Sequence, residues 1–107
     1  MNQARPTATP FFSVLIPSYN RPEFVGAAVE SVLASDFEDY EIIISDDCSP
    51  RQEEIEAILA KHLSDPRVRF VPQPVNLREP ANREFLYREA AGDWHLGLSD
   101  DDKLASN

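Results

Sequence analysis

Apolar positions recur along this chain in two alternating rhythms. Phe11-Phe12-Ser13-Val14-Leu15-Ile16 is a short, partly β-branched run closed by Pro17, the pattern of a parallel strand covered on both faces. The period then changes. Phe24, Val25, Ala28, Val29, Val32 and Leu33 recur at helical spacing, with Pro22 and Glu23 suited to a first turn and Ser35-Asp36 to the exit. Tyr40-Glu41-Ile42-Ile43-Ile44-Ser45 predicts a second strand, residues 46–50 a loop, and Ile55, Ile58, Leu59 and Leu63 a second helical stripe. Val68-Arg69-Phe70-Val71 predicts a third strand ended by Pro72 and Pro74. Ala81 to Ala91, with Phe85, Leu86 and Ala90 on one face, predicts a third helix capped by Gly92, and Trp94 to Leu98 a fourth strand.

Strands alternating with helices through short loops imply an α/β fold, a Rossmann-like open parallel sheet with flanking helices and right-handed crossovers. If the fourth strand lies beside the first, the strand order is 3-2-1-4. Residues 1–10, with two prolines, two threonines and no periodicity, read as a flexible N-terminal arm, leaving residues 11–107 as the folded α/β domain.

Composition narrows the possibilities. With 107 residues, 42% of them hydrophobic, the chain supports one core. A net charge of −9 repels phosphate backbones and anionic lipid, which argues against nucleic-acid and membrane-surface partners. The charge is unevenly placed: the first 35 residues are balanced, while residues 36–107 hold 8 basic and 17 acidic side chains. The single cysteine, Cys48, fits a reducing compartment, and neither a signal peptide nor a stretch of roughly 20 apolar residues is visible. The expected location is cytoplasmic, the cytoplasmic face of a membrane included.

In an open parallel sheet, ligands bind outside the carboxyl ends of the strands, where strand order reverses. Three polar segments fall at such ends: Pro17-Ser18-Tyr19-Asn20, Asp46-Asp47-Cys48-Ser49 and Ser99-Asp100-Asp101-Asp102. In the order 3-2-1-4 all three face one crevice. The run of three carboxylates after the fourth strand is costly unless a cation compensates it, and a hard divalent ion such as Mg2+ or Mn2+, shared with a substrate diphosphate, would do so. A solvated loop capping a following helix explains the same run. Asp46-Asp47 suits a turn or N-cap equally well; as an acceptor-only group, a carboxylate there also suits the N3–H of uracil or ribose hydroxyls. Cys48 beside acids is a poor nucleophile, His62 and His95 lack metal-ligand spacing, and Trp94 and Phe70 read as core or interface packing.

Together the three segments resemble the nucleotide-binding half of family 2 glycosyltransferases, the inverting enzymes of GT-A fold. FSVLIPSYNRPEFVGAAVESVLAS is similar to that family's first strand and helix, EDYEIIISDDCSP to its uridine-binding second strand, and AAGDWHLGLSDDD to its approach to the metal motif. The resemblance implies that Pro17, Tyr19 and Asn20 line the nucleoside pocket and that Asp47 binds the base, supported by Asp46. Asp100 would meet the ribose and the diphosphate, and Asp101 and Asp102 the metal, Mn2+ or Mg2+. The stretch Asn76 to Arg83 is similar to the family's Asn-x-Gly segment followed by Ala-x-Asn, with Arg78 where glycine is common. Guanidinium matches phosphate oxygens well, which makes Arg78 and Arg83 candidates for the diphosphate; the competing reading is surface arginines at a helix start.

The function this implies is transfer of a hexosyl or related sugar from a nucleotide diphosphate sugar, UDP-linked by preference, to an acceptor the sequence does not identify. Inverting transfer needs a general base, and the resemblance puts it beyond Asn107. The sequence therefore reads as the donor-binding portion of a longer enzyme, with the acceptor-binding half absent and no turnover by itself. Two other classes fit part of the pattern: a Mg-dependent phosphoryl-transfer or receiver-type α/β protein, and a non-catalytic nucleotide-binding module.

Overall fold

The computed structural model describes residues 10–99, so residues 1–9 of the expected arm and the run Asp100-Asp101-Asp102 lie outside the described residues. Within them the order is β1 (Phe12–Ser18), α1 (Pro22–Leu33), β2 (Tyr40–Asp46), α2 (Gln52–Leu59) with a 3-10 turn over Ala60–His62, β3 (Val68–Pro72), α3 (Glu79–Glu89) and β4 (Trp94–Gly97). The four strands form one parallel sheet in the order β3-β2-β1-β4, as the alternation of elements predicts.

Period-two alternation divides β1 and β2 between two cores. Val14, Ile16, Ile42 and Ile44 turn to one face, where they meet Val25, Ala28, Val29 and Val32 of α1 and Ile55 and Leu59 of α2. Leu15 and Ile43 turn to the other, under Leu86 of α3, with Val71, Phe85 and Ala90 at the margin. Each fully buried Val, Leu or Ile contributes about 1.5–3 kcal/mol of transfer free energy, so these two faces hold the sheet between its helices. At α1, Pro22 opens the first turn and Glu23 complements the dipole, while the Ala34 N–H closes the last turn on Glu30 O. Gly26 lets α1 approach α2; a Cβ there would stand 2.8 Å from Ile58 Cγ2.

Four sequence expectations need correction. Pro17 does not end the first strand; it lies inside β1, in register with Ser45. The reason is direction: Leu15 O accepts from Leu98 N–H, so Leu15 and, two residues on, Pro17 turn their backbone groups toward β4, whose paired residues stop at Gly97. The missing proline N–H removes no rung of the ladder. Phe24, placed in the apolar stripe of α1, is half exposed, because the buried arc is carried by Val25, Ala28, Val29 and Val32. Of the core-or-interface reading of Trp94, the core half fails: on β4, outermost of the four strands among the described residues, it remains 62% exposed. Gly92 is not a left-handed cap, since no described glycine has positive φ and α3 closes at Ala90 in extended conformation. Glycine is needed there for space: a Cβ would lie 2.7 Å from the Phe12 carbonyl carbon and 2.8 Å from Ser13 N. The Gly92 N–H instead donates to Ser13 Oγ (2.7 Å), which donates onward to Glu41 Oε2 (2.6 Å).

Candidate nucleotide-binding site

The loops leaving the carboxyl ends of the strands enclose, with the first turns of α3, an open cavity of about 1020 Å3. Pro17 and Tyr19 enter its wall from the end of β1, Asp47 from the loop after β2, Arg83 from α3, and Ser99 from the segment after β4. Four of the expected site residues, Pro17, Tyr19, Asp47 and Arg83, are thus brought to one place. Asp46 and Asn20 are not on that wall, and Asp100, Asp101 and Asp102 lie outside the described residues, directly following Ser99 in sequence.

The two acids after β2 have separate environments. Asp46 is fully buried and its oxygens are consumed internally: Oδ1 accepts from Ser18 Oγ and Ser49 Oγ, and Oδ2 from the Ser49 N–H, Ser49 Oγ and Gln52 Nε2. It ties the ends of β1 and β2 to the start of α2, as a buried carboxylate must be tied. Asp47, 5% exposed, receives the Leu77 N–H on Oδ1 at 2.5 Å, its own N–H donates to Ser18 O, and its carbonyl accepts from Asn76 Nδ2. Its Oδ2 has no partner among the described residues, which leaves one oriented acceptor on the cavity wall.

Residues the sequence did not single out complete the frame. Asn82, buried on the inward face of α3 one turn before Leu86, accepts from Ser45 Oγ (2.5 Å) and donates to Ser45 O (3.1 Å). Gln73 Nε2 donates to the same Ser45 hydroxyl and Gln52 Nε2 to Gln73 O, so the ends of β2 and β3 and the starts of α2 and α3 form one polar network. A polar residue in helical register with Leu86 was the available signal for Asn82. Tyr87, also on the wall, stacks on His95 with centroids 5.9 Å apart.

Cations gather around this cavity despite the acidic chain: Arg21, Arg78 and Arg83 all border it. Arg83 pairs with Glu79 at 2.6 Å. Each loop after β1, β2 and β3 also carries one residue of positive φ, Asn20 (57°), Cys48 (58°) and Arg78 (74°), and these are the only such non-glycine residues among those described. Asn tolerates the left-handed region, but Arg78 at φ 74°, ψ 157° occupies territory that belongs almost entirely to glycine, at a cost on the order of 1–3 kcal/mol.

A parallel sheet of order 3-2-1-4, with its cavity at the carboxyl ends of the strands, defines a doubly wound α/β domain of the GT-A kind. The model of the family described as Glycosyl transferase family 2 matches residues 13–107, and the chain belongs to that family. A putative colanic acid biosynthesis glycosyl transferase, WcaA of Escherichia coli (strain K12), is 33% identical over 98 residues, covering 92% of this chain and 35% of that protein. Among solved structures, S. aureus TarS 1-349 in complex with UDP-GlcNAc aligns with a TM-score of 0.77 and 26% identity over 86% of this chain and 27% of that one. The mannosyltransferase PcManGT of Pyrobaculum calidifontis, in complex with GDP-Man and Mn2+, shares the fold at a TM-score of 0.75 and 18% identity, over 90% and 29% of the two chains. The chain spans about a third of the length of the curated relatives it matches.

Proposed function

We propose that this chain is the donor-binding part of a glycosyl transferase and that its cavity holds the nucleoside diphosphate of a sugar donor. The observation that carries the reading is the Asp47 carboxylate, fixed through Oδ1 by the Leu77 N–H and left with Oδ2 free at the cavity, where strand order reverses. A fixed acceptor suits the N3–H of uracil, and this supports a UDP-linked donor, as does the likeness to TarS, solved with UDP-GlcNAc. Pro17 and Tyr19 supply the apolar and aromatic wall for the nucleoside. Asn20, in left-handed conformation, turns the chain from β1 into α1. Asp46 acts by holding the loop that carries Asp47.

Ser99 lies on the cavity wall, and the run Asp100-Asp101-Asp102 that follows it in sequence offers carboxylate oxygens, the hard donor type suited to Mn2+ or Mg2+. Asp100 is assigned to the ribose and diphosphate and Asp101 and Asp102 to the metal, which when bound supplies charge stabilisation to the departing nucleotide diphosphate. The general base of inverting transfer is not among these residues. The lone cysteine supports a cytoplasmic location. No helix among the described residues is long and apolar enough to cross a membrane.

Thermal-shift and calorimetric titration with UDP and GDP, each with and without Mn2+, tests this reading. A ligand at 100 times its Kd stabilises by about 2.7 kcal/mol, which raises the melting temperature of a domain this small by roughly 10–20 °C. UDP with Mn2+ is expected to do so, and Asp47→Asn to diminish the response. A folded sample that responds to neither nucleotide under either condition would overturn the assignment.

A further inference from the structure

Gln73 is a buried polar side chain in a loop where packing alone would be served by an apolar one. It follows β3 between Pro72 and Pro74, is 8% exposed and does not line the cavity. Buried polar groups cost free energy unless they are bonded, and Gln73 is bonded through main chain and side chain alike. Its N–H donates to Asp46 O at 2.9 Å, its carbonyl accepts from Gln52 Nε2 at 3.3 Å, and its Nε2 donates to Ser45 Oγ at 3.0 Å. Ser45 is a firm anchor, fully buried, with its hydroxyl donating to Asn82 Oδ1 and its carbonyl accepting from Asn82 Nδ2.

The residues after Gln73 continue the same seam. Asn76 Nδ2 donates to Asp47 O at 3.1 Å and the Leu77 N–H to Asp47 Oδ1 at 2.5 Å, so residues 73–77 are fastened along residues 45–47, from Ser45 at one end to Asp47 at the other. Prolines limit the play in between: Pro72 and Pro74 fix their own φ, and Pro74 disfavours a helical Gln73. Only Pro74, Val75 and Asn76 separate Gln73 from Leu77, so a shift at the first is carried to the second.

We infer that Gln73 is a positioning residue for base selection: its side chain anchors this loop to Ser45, so that the Leu77 N–H meets one oxygen of Asp47 and the other stays available to the cavity. Gln73 touches no ligand itself and acts through Leu77 and Asp47. This role rests on the donor-site reading above and adds to it the residue that makes the Asp47 carboxylate discriminating. A carboxylate held at one oxygen offers the other in one direction, which favours uracil, whose N3–H donates, over cytosine, whose N3 only accepts. Released, it turns about its side-chain torsions, meets the cytosine amino group as readily, and the preference shrinks.

The test measures binding of UDP and of CDP, each with Mn2+, by calorimetry, together with the melting temperature, for the 107-residue chain and its Gln73→Met and Ser45→Ala variants. These remove the same hydrogen bond from its two ends, and Gln73→Met leaves the Ser45 hydroxyl bonded to Asn82. Val29→Ala, in the core under α1, lowers the melting temperature without touching the loop. Both loop variants are expected to lower the preference for UDP over CDP about three- to tenfold, by weakening UDP binding while CDP binding stays within about twofold; Val29→Ala keeps the wild-type preference. A wild-type chain that prefers GDP moves the comparison to GDP and ADP, whose adenine N1 likewise only accepts. An unchanged preference in the loop variants, an equal loss in Val29→Ala, or failure of both loop variants to fold would make Gln73 a structural residue only and overturn the proposal. If one loop variant folds, it decides alone. If the wild-type chain binds no nucleotide, the donor-site reading fails and this proposal with it; if it prefers UDP and the loop variants do so equally, only this proposal fails.

Discussion

Asp46 and Asp47 show how much one position along a strand end changes a side chain's role. As letters they are the same residue twice; in the fold one is saturated by Ser18, Ser49 and Gln52 and the other keeps an oxygen for the cavity. The acid pair and its place after a strand were legible in sequence, but the donors that separate the two acids come from distant segments and were not. Tyr40 presents the opposite case. Its hydroxyl is buried without a hydrogen-bond partner among the described residues, burial raises its pKa, and its ring lies under the Arg67 guanidinium at 4.5 Å. An unsatisfied buried hydroxyl costs about 1–3 kcal/mol, whereas the cation–π contact survives its removal. Tyr40→Phe is therefore expected to raise unfolding stability by up to about 1 kcal/mol in urea titration; a clear loss would mean that the hydroxyl contributes a contact of its own.

At the scale of elements, the sequence carried the strands and helices well because both sheet faces are covered. β1 and β2 read as continuous apolar runs, and the helices as stripes of period near 3.6. The departures have local causes. Pro17 sits inside a strand because its nitrogen faces beyond the last β4 rung, and Trp94 is exposed on β4, the outermost strand among the described residues. The role of Gly92 was hidden for a different reason: the atoms it must clear belong to β1, and only the assembled sheet brings them there. Gly92→Ala forces a Cβ against main-chain atoms that have nowhere to move, so it is expected to cost about 1–3 kcal/mol by chemical denaturation, as overpacking does. A neutral result would show that the joint between α3 and β4 is loose.

Over the whole molecule, ion pairs on the helices and turns contribute to the acid limit of stability. Hydrogen bonds from Lys61 and His62 hold the Glu30 carboxyl below its ordinary 4.5, and the Arg67 guanidinium holds Asp65 below its ordinary 3.8. A lowered folded-state pKa means stability that is complete above the unfolded-chain value and disappears as pH falls from there through the folded value. The melting temperature is expected to hold near neutral pH and fall below about pH 4.5, with Asp65→Asn giving a lower plateau and a shallower acid slope. A profile for Asp65→Asn parallel to wild type would rule out that linkage.

The placement of β1 between β2 and β4 has a consequence for how the chain matures during synthesis. One edge of β1 is satisfied early, by a partner one crossover away, but the other waits for β4: the contact between Ser13 and Gly92 joins residues 79 apart. At about 5–20 residues per second, a ribosome leaves that edge unpaired for several seconds or longer. During that interval an apolar strand with open hydrogen-bonding groups is available to any neighbouring chain, so a helper that shields nascent strands matters most here, before β4 emerges.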